Sequence, residues 1–170
     1  MCNSSTEWES LKIEVDLYFR SGSYTLLRDA RIRQAELIES DGELRIALAY
    51  YCMAFYIDLN GFENRHRLLY EKRSNFRNWT CTARIDLELT EKIFSLASQC
   101  GISEKELLDV FCSSAFRSKS FLYHIFTVNE CKEILMLAKE KNISKIHSYI
   151  ESAKARFLSE DSLANKIIAI

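Results

Sequence analysis

The sequence predicts an all-α protein made of antiparallel helical hairpins packed around a central apolar helix, residues 44–59, with no substantial sheet. The 170 residues include no Pro and only four Gly, so little interrupts a helix. Apolar residues recur at helical spacing along most of the chain. Residues 46–57 form an unbroken apolar run of twelve, which is short of the roughly 20 residues of a membrane span and typical of a buried helix.

The composition predicts one folded domain over residues 1–170, because 48% of the residues are hydrophobic and 28% are charged. Two sub-lobes are expected, residues 1–61 and 86–170, joined by a basic and aromatic segment, residues 62–85. The formal net charge of -1 gives no bulk attraction for nucleic acid or anionic membranes. The first residues lack the basic-then-apolar build of a signal peptide, so we expect a cytoplasmic protein whose six cysteines are reduced.

The N-terminal half is predicted to hold three helices. Residues 7–20 and 25–39 each carry one apolar stripe, and the turn residues 21–23 between them predict an antiparallel hairpin. In the second of these helices the basic residues, Arg28 among them, are expected to face water. Residues 41–59 are apolar nearly all round, which indicates a helix surrounded by others.

Part of this central helix carries a recognisable spacing of aromatic, large, small and apolar residues that ends in Gly. The stretch 44–62 resembles the first helix of a tetratricopeptide repeat, and the resemblance implies a fold of helical hairpins. The residues that carry it are Tyr50, Met53, Ala54, Ile57 and Gly61.

The segment that follows is the most basic of the chain. Residues 63–78 are predicted to be helical and residues 80–86 to form a loop. Over residues 62–84, six Lys or Arg stand against two Glu, a formal charge of +4, with aromatic residues interleaved. Such a patch suits an acidic protein face or RNA, and its alternative is a solvated helix face whose aromatics cover the core. The candidate binding residues are Arg65, Arg67, Lys72, Arg73, Arg77, Trp79 and Arg84.

The C-terminal half is predicted to contain four long helices and one short one, for eight to nine in the whole chain. Their ranges are 87–100, 103–116, 128–141, 144–158 and 161–170. Helix starts are also marked by a Ser or Thr followed three residues later by Glu, the capping box. Four such pairs occur, namely Thr6 with Glu9, Ser40 with Glu43, Ser103 with Glu106, and Thr127 with Glu130.

One sequence motif occurs twice in this half, 41 residues apart. It consists of Leu-Ala, three further residues, Gly or Asn, and then Ile-Ser. Gly101 and Asn142 are predicted to take the left-handed conformation that ends a helix. The first copy resembles the helix-turn-helix family over residues 93–112, which implies DNA binding by the second helix. That helix opens with Ser-Glu-Lys-Glu, an acidic start that phosphates repel. The residues that carry the resemblance are Ile93, Leu96, Ala97, Gly101, Ile102, Leu107 and Val110.

A second DNA-binding interpretation comes from the residues before this helix pair. Residues 80–86 alternate polar and apolar side chains, so a ribbon-helix-helix arrangement would place Thr80, Thr82 and Arg84 on a paired strand in the major groove. The plain alternative for both interpretations is a structural helical hairpin closed by Gly, which needs no ligand.

The sequence offers little that points to catalysis. It contains no C-x-x-C pair, no H-E-x-x-H, no P-loop and no dinucleotide-binding motif. We therefore predict a non-enzymatic interaction or adaptor module that binds a macromolecular partner, most readily a protein. The alternative is a nucleic-acid-binding regulatory protein. No cofactor, catalytic residue, metal site or membrane partner is expected.

Overall fold

The structure, a computed structural model, describes residues 24–64, 79–81, 83–118 and 126–159. These residues form six helices and one small antiparallel ribbon, so the predicted all-α class is confirmed. The helices are α1 (Tyr24–Ser40), α2 (Leu44–Leu59), α3 (Leu87–Gln99), α4 (Glu104–Ser118), α5 (Val128–Lys139) and α6 (Ile143–Ser159). The ribbon strands are β1 (Phe62–Asn64) and β2 (Trp79–Cys81).

The ribbon corrects two predictions. Residues 63 and 64 were predicted to begin a helix, and residues 80 and 81 to lie in a loop, but all four belong to paired strands. Phe62 pairs with Cys81, and Asn64 pairs with Trp79. The predicted helices 7–20 and 161–170, most of the predicted helix 63–78, and the Thr6 capping box lie outside the described residues.

The capping box predicted before the central helix is a further correction. Helix α2 spans Leu44–Leu59, as predicted for residues 44–59, but Ser40 and Glu43 do not form a capping box, and residues 41–43 lie in the turn before the helix. Ser40 is instead the last residue of α1, where its hydroxyl donates to the Leu37 carbonyl at 2.7 Å. Glu43 occupies the N-cap position of α2 without a side-chain hydrogen bond to the helix. The Ser-to-Glu spacing therefore spans a turn between two helices here.

The starts of α3, α4 and α5 carry side-chain caps. Ser103 and Glu106 form the complete predicted box, in which each backbone N–H donates to the other's side chain at 3.0 and 3.2 Å. Thr127 accepts from the Glu130 N–H at 3.2 Å, which confirms the N-cap half of this predicted box, and the Glu130 carboxylate accepts from the Thr127 hydroxyl. Asp86, which was not predicted, caps α3 by accepting from the Leu89 N–H at 3.1 Å. Each bond from a backbone N–H satisfies a donor that the first helical turn leaves without a partner.

Helix α2 is buried along most of its length and packs against α1, α3 and α4. Every residue from 51 to 59 is buried, and the Phe55 ring meets the Phe111 ring of α4 edge to face, with centroids 5.7 Å apart. One cluster of buried side chains draws on all six described helices. The apolar run 46–57 is therefore part of a core helix, as the lack of a polar face predicted.

The tyrosine hydroxyls of a buried helix need partners, and Tyr51 has one. It donates to one carboxylate oxygen of Glu39 on α1 at 2.7 Å, while Lys92 of α3 donates to the other oxygen at 2.6 Å. Burial raises the pKa of Glu39, but the two hydrogen bonds and the Lys92 charge outweigh it and leave that pKa lowered. These contacts join three helices at the edge of the core.

Three helix–helix connections close with the same turn. Gly42, Gly101 and Lys141 take φ values of 84°, 65° and 56° at the ends of α1, α3 and α5. In each turn the next residue donates its N–H back to a helix carbonyl, as Ile102 does to Ala97 at 3.0 Å. This pattern is the Schellman motif, which satisfies carbonyls at a helix end.

The third turn corrects the predicted role of Asn142. The left-handed residue is Lys141, and Asn142 is already the N-cap of α6, where its carboxamide oxygen accepts from the Lys145 N–H at 3.3 Å. The two turns therefore correspond at a separation of 40 residues and not 41, because Gly101 matches Lys141. The second connection is one residue shorter than the first, since Asn142 both closes one helix and opens the next.

Candidate functional site

The predicted basic patch lies largely beyond what the structure describes. Five of its seven residues, Arg65, Arg67, Lys72, Arg73 and Arg77, fall outside the described ranges. Trp79 lies in β2, directly opposite Asn64. The seventh residue, Arg84, lies between β2 and α3.

Arg84, whose own side chain is half exposed, belongs to an ionic cluster around the buried Asp58 at the end of α2. Its Nε lies 3.5 Å from a carboxylate oxygen of Asp58, and its backbone N–H donates to the Asp58 carbonyl at 3.1 Å. Arg28, predicted to face water, instead points inward, with Nη1 3.4 Å from Asp58 and 3.8 Å from Asp86. The side chain of Asp58 is 1% exposed. The cluster ties α1, α2 and the start of α3 together.

The electrostatics of this cluster follow from its burial. Desolvation raises the pKa of Asp58 to about 6, against the opposing charges of Arg28 and Arg84, and the nearby Asp86 adds to the rise. For Arg28, burial lowers the pKa, but the carboxylates of Asp58 and Asp29 outweigh it and leave the value raised. The hydrogen bonds to Asp58 are long, 3.4 to 3.5 Å, so we take desolvation as the larger effect on this carboxyl.

Asn60 forms a second buried polar link, two residues further on. Its carboxamide oxygen accepts from the Phe126 N–H at 2.9 Å, and its amide nitrogen donates to the Tyr56 carbonyl at 3.1 Å. Its amide nitrogen also lies 4.0 Å from the Cys131 sulfur of α5. This side chain anchors the chain before α5 to the end of α2, which is a structural role.

The helix pair that resembles a helix-turn-helix has an acidic outer face. The charged residues exposed at the start of α4 are Glu104, Lys105, Glu106 and Asp109, three acids against one base. Both α3 and α4 pack against α2 and α5. The strand before α3, which the ribbon-helix-helix interpretation would place in DNA, is paired with β1 of the same chain.

A surface depression with a mostly apolar lining lies between α3 and the turn that joins α5 to α6. We call it the α3–α6 groove, and it has a volume of about 410 Å³. Two of its large apolar side chains are half exposed, Leu87 at 47% and Ile143 at 51%. Its lining consists of Leu87, Thr90, Glu91, Phe94, Ala138, Lys139, Lys141 and Ile143.

The charges of the α3–α6 groove stand on its two walls. Glu91 lies on α3, whereas Lys139 and Lys141 lie at the end of α5 and in the turn after it. The Lys139 ammonium is held by Glu104 at 3.2 Å and lies 5.7 Å from the centre of the Phe94 ring. Within the described residues, Glu91 and Lys141 have no ion-pair partner.

A second depression, of about 630 Å³, lies between α4, α5 and α6. Its charged lining residues balance, with Lys132 and Lys145 against Glu133 and Glu140. The Tyr149 hydroxyl donates to Glu133 across it. This surface is more polar than the α3–α6 groove, and the formal charges of its lining residues sum to zero.

The described residues offer no ready metal centre or membrane segment. In residues 24–64, 79–81, 83–118 and 126–159, no three or more His, Cys, Asp or Glu side chains are grouped to hold a metal ion. Burial raises the pKa of the Cys52 thiol, and it raises that of Cys131 to about 12. None of the described helices combines the length and hydropathy needed to span a bilayer.

Comparison with known proteins adds no relative. No known family model, no curated protein and no solved structure matches this chain.

Sequence reasoning missed the α3–α6 groove, although α3 carries a signal for it. The buried face of α3 contains Leu89, Ile93 and Leu96. Leu87 and Phe94 are seven residues apart and therefore share one face of the helix, which is a different face from that of Leu89, Ile93 and Leu96. Apolar residues on a second face of an amphipathic helix indicate a second contact surface. The position of Ile143 opposite them depends on tertiary packing.

Proposed function

We propose that this protein is a non-enzymatic interaction module that binds a protein partner in the α3–α6 groove. The observation that carries the proposal is the pairing of two half-exposed large apolar side chains, Leu87 and Ile143, across one groove floored in part by Phe94. Apolar patches in concave surfaces are the usual anchor points of protein interfaces.

The energetics of covering this groove favour a partner. Burying a Leu or Ile side chain completely is worth about 1.5–3 kcal/mol. Leu87 and Ile143 are each about half exposed. Covering what remains is therefore worth about 1 kcal/mol for each side chain. A partner that fills the groove gains this contribution without rearranging the helices that form it.

The described charges support a protein partner over nucleic acid. The exposed start of α4 has three acids and one base, and in the α3–α6 groove Lys139 is paired with Glu104 while Lys141 stands opposite Glu91. A phosphate backbone gains little from such surfaces. The nucleic-acid alternative draws its charge from the basic segment 62–85 and from the second copy of the repeated motif, where Lys145, His147, Lys154 and Arg156 stand against Glu151.

The test is affinity capture with the immobilised full-length chain and matched surface variants, using an extract of the cells that produce it. We expect Leu87→Ser and Ile143→Ser each to lose a protein that the unsubstituted chain retains. Ile46→Ser is the control, because Ile46 is 50% exposed on α2 and does not line the groove. It should retain the same protein.

Two outcomes would contradict the proposal. One is capture that all three variants share equally, since the groove would then play no part. The other is captured material that nuclease or high salt releases, which would favour the nucleic-acid alternative.

A further inference from the structure

The α3 wall of the groove has the spacing that a helix uses to meet another helix. Leu87, Glu91 and Phe94 stand at positions i, i+4 and i+7 and so share one face. At 1.5 Å per residue this face is about 10 Å long, or two helical turns. Ala138 and Ile143 form the facing wall. These dimensions suit a short amphipathic helix with apolar residues at similar spacing.

The groove is also polarised across its width. Glu91 stands on the α3 wall and Lys141 on the opposite one, and neither has an ion-pair partner within the described residues. Lys139 is already engaged by Glu104 and by the Phe94 ring. A partner therefore meets one available carboxylate on one side and one available ammonium on the other.

The position of the Lys141 backbone is fixed by the turn it occupies. Its N–H donates to the Ala138 carbonyl at 3.1 Å, and the next N–H, that of Asn142, donates to the Leu137 carbonyl at 3.0 Å. The second bond requires the left-handed conformation at Lys141, whose φ is 56°. The Cα of Lys141, from which its side chain extends, therefore has a fixed position on the rim of the groove.

From this geometry we infer that the α3–α6 groove takes an amphipathic helical segment of a protein partner, about two turns long, with one acidic and one basic edge. The acidic edge faces Lys141 and the basic edge faces Glu91, so the charges favour one of the two directions in which the segment can lie. The inference rests on the proposed function and adds to it the chemistry of the partner. Charge pairs at an interface rim contribute more to orientation and specificity than to total affinity.

Two synthetic peptides of identical composition test the inference. Each carries the same asymmetric set of apolar residues at helical spacing on one face, and the matched peptide places Glu along one edge and Lys along the other. The swapped peptide exchanges Glu and Lys, which keeps the net charge but presents the wrong edge to each wall when the helix runs in the same direction. A covalent staple and blocked ends hold both peptides helical, and asymmetric apolar residues fix their direction in the groove.

Binding to the full-length chain is followed by NMR through the amide signals of residues 139–143. We expect the matched peptide to bind about fivefold to tenfold more tightly than the swapped one, because two exposed ion pairs change from attraction to repulsion. The double variant Glu91→Lys/Lys141→Glu should reverse that preference. The control Glu88→Lys/Lys145→Glu makes the same changes on side chains that do not line the groove, and it should keep the original preference.

The outcomes separate this inference from the proposed function. Equal binding of both peptides, lost in Leu87→Ser, would overturn the charge pattern and leave the groove as a binding site. Absence of peptide binding to the unsubstituted chain would overturn the inference, while the capture experiment would still decide the proposed function. A tenfold gain in peptide affinity in Ile167→Ser/Ile168→Ser would identify the chain's own C-terminal segment as the occupant and would also overturn the inference.

Discussion

The left-handed turns predict opposite effects on stability for two substitutions, one that adds a Cβ at a left-handed residue and one that removes it. Gly101 and Lys141 hold equivalent positions after α3 and α5, with φ values of 65° and 56°. Replacing Gly101 with Ala places a side chain in a conformation that L-residues avoid. Replacing Lys141 with Gly removes one from the same conformation. The first variant should be less stable than the unsubstituted protein, and the second should be more stable than Lys141→Ala.

The magnitude follows from backbone preference alone at Gly101. A Cβ built there meets no atom within 4 Å, so steric clash adds nothing. The left-handed conformation costs an L-residue about 1–2 kcal/mol. Removing Gly recovers roughly 0.4–1 kcal/mol by restricting the unfolded chain. Gly101→Ala should therefore lower the free energy of unfolding by about 1 kcal/mol.

The comparison at Lys141 is made between Gly and Ala so that both variants lack the ammonium group. Lysine near a helix C-terminus interacts favourably with the helix dipole, and this contribution cancels in the comparison. Lys141→Gly should then be more stable than Lys141→Ala by about 1 kcal/mol, for the reason that applies at Gly101.

Urea unfolding followed by circular dichroism measures these differences through the shift in midpoint at constant slope. Gly42, with a φ of 84° and open space for a Cβ, gives an internal repeat of the Gly101 experiment. Equal stability of Gly101→Ala and the unsubstituted protein would refute the reasoning. A Lys141→Gly variant less stable than Lys141→Ala would refute it as well, since the turn would then not require the left-handed conformation.

The buried polar groups support two further predictions. Because the pKa of Asp58 is about 6 in the folded state and ordinarily 3.8, the folded protein holds a proton that the unfolded chain releases. The contribution of this carboxyl to the free energy of unfolding therefore rises as the pH falls through about 6. The increase is about 1 kcal/mol between about pH 7.5 and about pH 5. Asp58→Asn should lose this increment in urea titrations at the two pH values, and identical pH profiles would contradict the assignment. Asn60→Ala should lower the free energy of unfolding by about 1–3 kcal/mol, because the Phe126 N–H loses its acceptor; a loss below about 0.5 kcal/mol would show that this N–H finds another partner.

Capping boxes show where sequence reasoning worked and where it did not. Ser103 and Glu106 have the same spacing as Ser40 and Glu43, but only the first pair caps a helix. Helix α1 continues through Ser40 because the left-handed Gly42 comes two residues later and closes the helix there. The motif reports a local preference, and the neighbouring glycine decides which side of the turn the Ser belongs to.

The surroundings of charged side chains were harder to predict than the apolar faces of the helices. Arg28 was expected to face water, yet its guanidinium lies against the buried Asp58, which is 30 residues away in the sequence. Periodicity gives the direction in which a side chain leaves its helix, but it does not reveal a buried carboxylate on another helix. The α3–α6 groove was missed for the same reason, since Leu87 and Ile143 come together only when α3 and α6 are packed.

The sequence alone determined the all-α class, the central helix, most helix bounds and two of the caps. These features depend on residues close together in the chain, through apolar spacing, side-chain caps and the scarcity of Gly and Pro. Tertiary structure decided the pairing of β1 with β2, the inward turn of Arg28 and the walls of the α3–α6 groove. Each of these joins residues distant in sequence, and their contacts depend on how the helices pack around α2.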